Sequence, residues 1–213
     1  MRFLTAVLVA LLAALFVLAV LPAAPALAYG QEDLHGGVTK DCGDGKTYTK
    51  LGPKWKTFPV TYSIDASDGT HEAAMNRAFA TFEALEHPAG TFFQERTGQG
   101  QNIDVSFAAI DGSGNVLART SYSYNRFTRT FVDVNIVFDS AEDWAVYPGI
   151  TCSSQGNGID VEAVMAHELG HGVGLGHSSS STALTLYPYY SPGATHQRTL
   201  ATGDVKGVQN LYG

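Results

Sequence analysis

The strongest chemical signal in the chain is the run His167-Glu168-Leu169-Gly170-His171-Gly172-Val173-Gly174-Leu175-Gly176-His177. Residues four apart on an α-helix are separated by roughly 40° of azimuth and one turn, so His167 and His171 project from the same face and can grip one divalent ion. The glycines that follow allow the chain to leave the helix through a positive-φ turn, which can bring His177 back as a third ligand. Three neutral imidazoles leave the fourth tetrahedral position of Zn²⁺ open to water, whose pKa falls to about 7 on the metal. Glu168 lies about 100° around the helix from His167, a position that misses the ion yet reaches its water as general base and later passes the proton to a leaving amine. A bare HExxH string arises by chance in many helices, but here the longer HExxHxxGxxH pattern is complete. Imidazole ligation in a tetrahedron favours zinc over Co²⁺ or Mn²⁺.

These side chains need a frame. Asp160 is a natural N-cap for a helix running from Val161 through the histidines. Upstream, Val60, Tyr62 and Ile64 alternate with Thr61 and Ser63, the period-two signature of a strand over Pro59–Asp65. From His71 to Glu86 the apolar residues Ala74, Met75, Ala78, Phe79, Phe82 and Leu85 recur at helical spacing, which predicts an amphipathic helix packed on a sheet. Ile103–Ile110, Val116–Tyr124 and Thr130–Phe138 read as further strands, the first ending at the turn signal Asp111-Gly112-Ser113-Gly114-Asn115. A strand, a helix, several strands and then a helix indicate an α+β domain built on one mixed sheet, without repeats or an inter-domain linker.

The chain has 213 residues with 45% apolar and 15% charged content, which excludes disorder as its main state. A net charge of −7 offers no basic surface for phosphate backbones, so nucleic acid is not an expected partner. Arg2 precedes an apolar run from Phe3 to Leu21, Pro22 and Pro25 interrupt it, and Ala26-Leu27-Ala28 has the small-x-small pattern of signal-peptide cleavage. The expected organisation is a signal peptide over 1–28, a leader or short pro-segment over 29–50, and one domain over 51–213, exported and without stable membrane association. The competing reading is an uncleaved apolar anchor. Tyr29–Tyr48, rich in Gly, Asp, Lys and Thr, has no periodicity and reads as extended leader. Cys42 and Cys152 form an even pair, which in an oxidising compartment points to one disulfide; the alternative makes Cys42 a thiolate that blocks a metal. His35, His71, His87 and His196 lack ligand spacing and read as surface histidines. Arg119, Arg126, Arg129 and Lys50 to Lys56 are scattered and read as solvated charges.

At the zinc helix the chain resembles a metzincin zinc metalloprotease. His177 followed by Ser178 resembles the matrixin branch, the matrix metalloproteinases and their bacterial relatives. Ala183-Leu184-Thr185-Leu186-Tyr187-Pro188-Tyr189-Tyr190 is similar to that family's Met-turn and Pro-x-Tyr pocket wall, and Leu200–Gly213 to its closing helix. The resemblance implies a twisted mixed sheet with an active-site helix, a packing helix and a C-terminal helix. Leu186 stands where the family has the methionine beneath its zinc, and Pro188 where some metzincins place a tyrosine ligand, so three histidines and water are the coordination implied. Asp111–Ala118 resembles the loop and edge strand of the family. This implies substrate pairing along Leu117 and Ala118, a pocket shaped by Pro188 and Tyr190, and Ca²⁺ held by Asp111, Asp139 and Glu142. The alternative for those acids is a hairpin turn facing solvated carboxylates. Arg119 and Val137 replace ligands of the family's second, structural zinc, whose absence is implied. Asp41-Cys42-Gly43-Asp44 lacks the Arg and Pro that flank the family's zinc-blocking cysteine.

The function these readings imply is a secreted zinc endopeptidase acting on extracellular proteins or peptides through a zinc-bound water activated by Glu168. The rival is a catalytically silent zinc-binding extracellular module of the same fold. Neither the substrate preference, the activation route nor the oligomeric state is written in the sequence.

Overall fold

The computed structural model describes residues 43–66, 68–88 and 90–213, together with the backbone of 27–36. Eleven strands and three α-helices follow one another: β1 (Leu27–Gly36), β2 (Thr49–Lys50), β3 (Val60–Asp65), α1 (Gly69–Glu83), β4 (Phe93–Glu95), β5 (Ile103–Ala108), β6 (Val116–Asn125), β7 (Thr130–Asp139), β8 (Trp144–Ala145), β9 (Ile159–Asp160), α2 (Val161–Gly172), β10 (Leu175–Gly176), β11 (Tyr189–Tyr190) and α3 (Thr202–Tyr212). A 3₁₀ turn, His196–Arg198, precedes α3.

The main sheet has the order β11-β1-β6-β7-β5-β3-β4. It is mixed: β6 runs antiparallel to both β1 and β7, whereas β7, β5, β3 and β4 are mutually parallel neighbours, as are β1 and β11. Tyr62 of β3 stacks on Phe79 of α1, with ring centroids 3.6 Å apart. The buried face of α1 is Ala74, Met75, Ala78, Phe79 and Phe82, as the spacing predicts, and Asp68 caps its start by accepting from the Thr70 and His71 N–H groups. The α+β architecture with a mixed sheet and three helices is therefore the one expected.

Every residue of α2 is buried. A helix enclosed on all sides belongs to the core rather than the surface, and α2 packs against α1, β6, β7 and β1. Its polar ends are satisfied accordingly. Asp160 accepts from Ala163 N–H at 2.8 Å at the start. At the other end Trp55 Nε1–H donates to the Gly172 carbonyl and Tyr212 Oη–H to the Val173 carbonyl, both at 2.8 Å, which accounts for carbonyls that have no helical partner.

The Tyr29–Tyr48 segment, read as an extended leader, supplies most of β1 (Leu27–Gly36), which is flanked on both sides within the main sheet. One expectation needs amendment. His196 is no surface residue; it is buried, and its Nε2 pairs with the Thr182 carbonyl at 3.1 Å. Three further positions bear on the termini. The expected signal segment lies outside the described residues except for Leu27 and Ala28, and Cys42 lies outside them altogether. Among the described residues there is no free cysteine. No helix among them is long and apolar enough to cross a membrane.

Candidate metal centre

The two helical imidazoles leave α2 one turn apart, and the chain then reverses at Gly174, whose φ is +100°. A Cβ there would stand 2.5 Å from the Pro53 carbonyl oxygen, so glycine is required both for the turn and for the close approach. The reversal returns His177 to the helix. The Nε2 atoms of His167, His171 and His177 lie 3.0 to 3.1 Å from one another. Tetrahedral zinc bound at about 2.0–2.1 Å spaces its nitrogen ligands by about 3.3 Å, close to this triangle.

The outward nitrogens decide what the inward ones can do. His167 Nδ1 is 2.7 Å from the Thr185 carbonyl, and His171 Nδ1 is 2.8 Å from the Leu175 carbonyl. A carbonyl only accepts, so each Nδ1 carries the proton and each Nε2 presents a lone pair. Burial, ahead of the neighbouring imidazoles, pushes His167 well below the ordinary histidine value; burial and then His177 bring His171 down to about 3. Both rings are therefore neutral at pH 7. Neutral rings whose lone pairs converge repel one another unless a cation lies between them, so this donor set fits a divalent metal. Among the described residues it is the cluster of three or more ligand side chains close enough to hold an ion.

Glu168, the residue after His167 on α2, is buried, and its carboxylate meets the sheet through β6. Thr120 Oγ1 of β6 lies 2.5 Å from Glu168 Oε2 and 3.1 Å from the Glu168 carbonyl. The Met-turn position lies under the same helix: Leu186 is 1% exposed, and a Cβ on Gly170 would stand 2.6 Å from its Cδ2. Asp204, in the first turn of α3, accepts from the N–H groups of Thr185 and Ala201 at 2.8 and 3.0 Å. The Thr185 peptide is thereby held at its N–H by Asp204 while its carbonyl holds His167.

Leu117 and Ala118 lie on β6, buried, but β6 is not the free edge expected of them, because β1 pairs along it. Tyr190 of β11 is buried, accepts from Asp160 N–H at 3.1 Å and donates to the Ala194 carbonyl. Pro188 stands half-buried just before β11. Tyr190 thus connects β11 to Asp160, the residue that caps α2.

Asp111, Asp139 and Glu142 meet around the predicted turn, but their oxygens face donors. Asp139 accepts from Asp111 and Gly112 N–H, both at 3.0 Å, and from Ala141 N–H at 2.9 Å, while Glu142 accepts from Gly114 N–H at 2.6 Å. Burial opposes ionisation of Asp139, and the backbone N–H groups together outweigh it, holding the carboxyl below its ordinary value. In this arrangement the turn is satisfied by protein donors alone.

Of three further contributors to the site, two carry no spacing signal. Arg198 reaches back to Asp160 through Nε at 2.8 Å and Nη2 at 2.5 Å, forming a buried fork at the start of α2. Asp204 is isolated in sequence from the turn it holds. Thr120 does have a local clue, since strand alternation puts it on the same face as Ala118.

The sequence profile of the matrixin family matches residues 54–213. Over 181 residues the chain is 33% identical to metalloendoproteinase 1 of Glycine max, covering 78% of this chain and 55% of that protein. Over 189 residues it is 30% identical to matrix metalloproteinase-16 of Homo sapiens, and equally to that of Rattus norvegicus, covering 79% of this chain and 29% of each relative. The chain therefore spans about half the length of the plant relative and under a third of the mammalian ones. A family match that takes in both the helix of the imidazoles and the turn beneath it shows that this chain belongs to the matrixins.

Proposed function

We propose that the chain is a secreted zinc endopeptidase hydrolysing peptide bonds of extracellular proteins or peptides. One observation carries this reading: three Nε2 lone pairs converge on a single point beside a buried carboxylate. His167, His171 and His177 would hold the ion. A bound Zn²⁺ would supply Lewis acidity toward the scissile carbonyl and acidify the attacking water. Thr120 holds the Glu168 carboxylate beside the triad, where it can take a proton from that water at Oε1 or Oε2 and deliver it to the leaving nitrogen. Leu117 and Ala118 would pair with an extended peptide, and Pro188 and Tyr190 would shape the pocket beyond the cut bond.

Several finer readings belong to the same proposal. Cleavage after Ala28 would release a chain without a membrane anchor. A Cys42–Cys152 bridge would tie the leader to the loop before α2. For the acidic turn we take the hydrogen-bonded arrangement, with Asp139 and Glu142 accepting from backbone N–H groups, over Ca²⁺ held by Asp111, Asp139 and Glu142. The silent-module alternative is less well supported, because a structural zinc site would more naturally close its fourth position.

The test is metal analysis and hydrolysis of fluorescein-labelled casein by the parent and Glu168→Ala. Stoichiometric zinc in both, with hydrolysis in the parent alone, is the expected result. Parent protein that binds zinc and cuts nothing would favour the silent module, and protein without bound metal would end the zinc reading.

A further inference from the structure

The hairpin between β6 and β7 gathers charges that are scattered in the sequence. Its tip is Arg126-Phe127-Thr128-Arg129, closed by Asn125, whose Oδ1 accepts from the Phe127 and Thr128 N–H groups at 3.0 and 3.1 Å. Phe127 is 81% exposed, the most exposed large apolar side chain among the described residues. Arg126 and Arg129 flank it, both exposed. Lys56, also exposed, joins them from the segment before β3: its Nζ donates to the Thr128 carbonyl at 2.6 Å. The backbone of Lys54 holds that segment in place by pairing with Arg129 and Phe131 at 3.0 and 3.1 Å. No Asp or Glu lies between Leu51 and Ile64 or between Thr120 and Val132, in a chain that carries 20 of them. The next acid, Asp133, accepts from Asn135 Nδ2, and burial pushes its carboxyl above the ordinary value, toward the neutral form.

Two further observations mark the same tip. Arg129 has φ +53°, and among the described residues it is the one non-glycine residue in the left-handed region. A conformation that suits glycine or asparagine is held here by a cation, whose guanidinium lies 5.8 Å from the centre of the Tyr124 ring. The chain also enters the main sheet at this end, with Leu27 opposite Asn125 and Ala28 opposite Tyr124. The apolar run Phe3–Leu21 closes six residues before Leu27, a reach of at most about 22 Å. A bilayer that takes up that run during export therefore lies within this reach of the hairpin tip.

An apolar apex ringed by cations suits a lipid interface, where the apex enters and its neighbours meet phosphates. A soluble polyanion would use the cations alone and leave Phe127 in water. We propose that the β6–β7 hairpin is a peripheral membrane contact, with Phe127 entering the headgroup region of an anionic bilayer and Lys56, Arg126 and Arg129 meeting its phosphates. The attachment is reversible and operates whether the apolar run is retained or removed. It does not rest on the endopeptidase reading. It would keep the metal centre close to the bilayer, since Thr120, which holds Glu168, is only five residues, about 17 Å, back along β6 from Asn125.

The test uses the protein as exported, its N-terminus read by mass spectrometry, and vesicles of phosphatidylcholine alone or with about 30 mol% phosphatidylglycerol. Phe127→Trp reads insertion at the tip itself, so the reading holds with or without the apolar run. Against the parent background of Trp55 and Trp144, its emission should shift to the blue on anionic vesicles and be quenched by brominated lipid. Ile150→Trp, at a position 57% exposed beside the Thr151–Thr195 pairing, should show neither effect. Each Lys or Arg near an anionic leaflet strengthens attachment about fivefold, so adding Arg126→Gln/Arg129→Asn to Phe127→Trp should raise the lipid needed at least about tenfold. Asparagine tolerates the left-handed conformation at 129, which keeps the hairpin intact. Arg96→Gln/Lys206→Gln removes the same charge elsewhere and should leave the lipid requirement unchanged. No quenching at 127 on anionic vesicles overturns the proposal, as does equal quenching at 127 and 150, or equal effects of the two charge pairs. Insertion of the same strength without phosphatidylglycerol overturns it as well. Binding of dextran sulfate by a protein that the vesicles leave unquenched would assign the cations to a soluble polyanion instead.

Discussion

Thr120 and Glu168 meet across the interface of sheet and helix, with one hydroxyl 2.5 Å from the carboxylate and 3.1 Å from the carbonyl of the same residue. The carboxylate proposed to move protons is thus aimed by β6, a strand of the main sheet. Thr120→Val keeps the shape and removes the donor. Loss of a buried hydrogen bond to a charged group costs about 1–3 kcal/mol, so kcat should fall tenfold or more with zinc content unchanged. Thr120→Ser should recover most of the rate; a valine variant at parental kcat would show that Glu168 needs no such aim.

Gly170 and Leu186 touch at the floor of the site, where a methyl on Gly170 would come within 2.6 Å of Leu186 Cδ2. Gly170→Ala should cost about 1–3 kcal/mol in denaturant unfolding through overpacking, and Leu186→Ala in the same chain should return part of it. Leu186→Met exchanges one flexible apolar side chain for another of similar volume, a swap worth under about 1.5 kcal/mol, so zinc affinity and turnover should stay within a few-fold. A large gain in turnover would show that leucine impairs the native site.

The Arg198 side chain is 5% exposed and that of Asp160 0%. Arg198→Ala leaves a buried carboxylate without its fork and should lower unfolding free energy by about 3–5 kcal/mol, measured by urea titration of the metal-loaded protein. A change below about 1 kcal/mol, the worth of an exposed pair, would mean that water reaches Asp160.

Asp139 provides the pH-dependent case. Its folded-state pKa is depressed by N–H donors that outweigh burial. The stability it contributes is therefore present above the ordinary aspartate value and is lost as pH falls through the lower folded value. Asp139→Asn should be less stable than the parent at pH 7 by about 1–3 kcal/mol and should show less loss of stability between about pH 4 and the acid transition. Because those donors already satisfy the turn, adding Ca²⁺ should leave the thermal midpoint of the parent unchanged. A midpoint that rises with Ca²⁺ concentration would show the ion displacing them.

The zinc helix and the long strands were legible because their signals are local. Spacing placed His167 and His171 on one face, glycine permitted the return of His177, and alternation marked β3, β5, β6 and β7. Features held together by distant partners were not legible. Arg198 lies far along the chain from Asp160, Asp204 is separated from the turn it braces, and His196 is buried by neighbours rather than by any pattern of its own. The two-residue pairings β2, β8, β9 and β10 are too short for a periodicity to exist. β1 escaped for another reason: backbone hydrogen bonds, unlike buried side chains, leave no imprint on composition.

Trp55 and Tyr212 both fasten the carbonyl end of α2, one from the beginning of the matched region and one from its close. The imidazoles therefore inherit their rigidity from residues at opposite extremes of the domain. A shortened peptide bearing the histidine run would own the ligands without the clamp, and metal capture is in this sense a property of the completed fold.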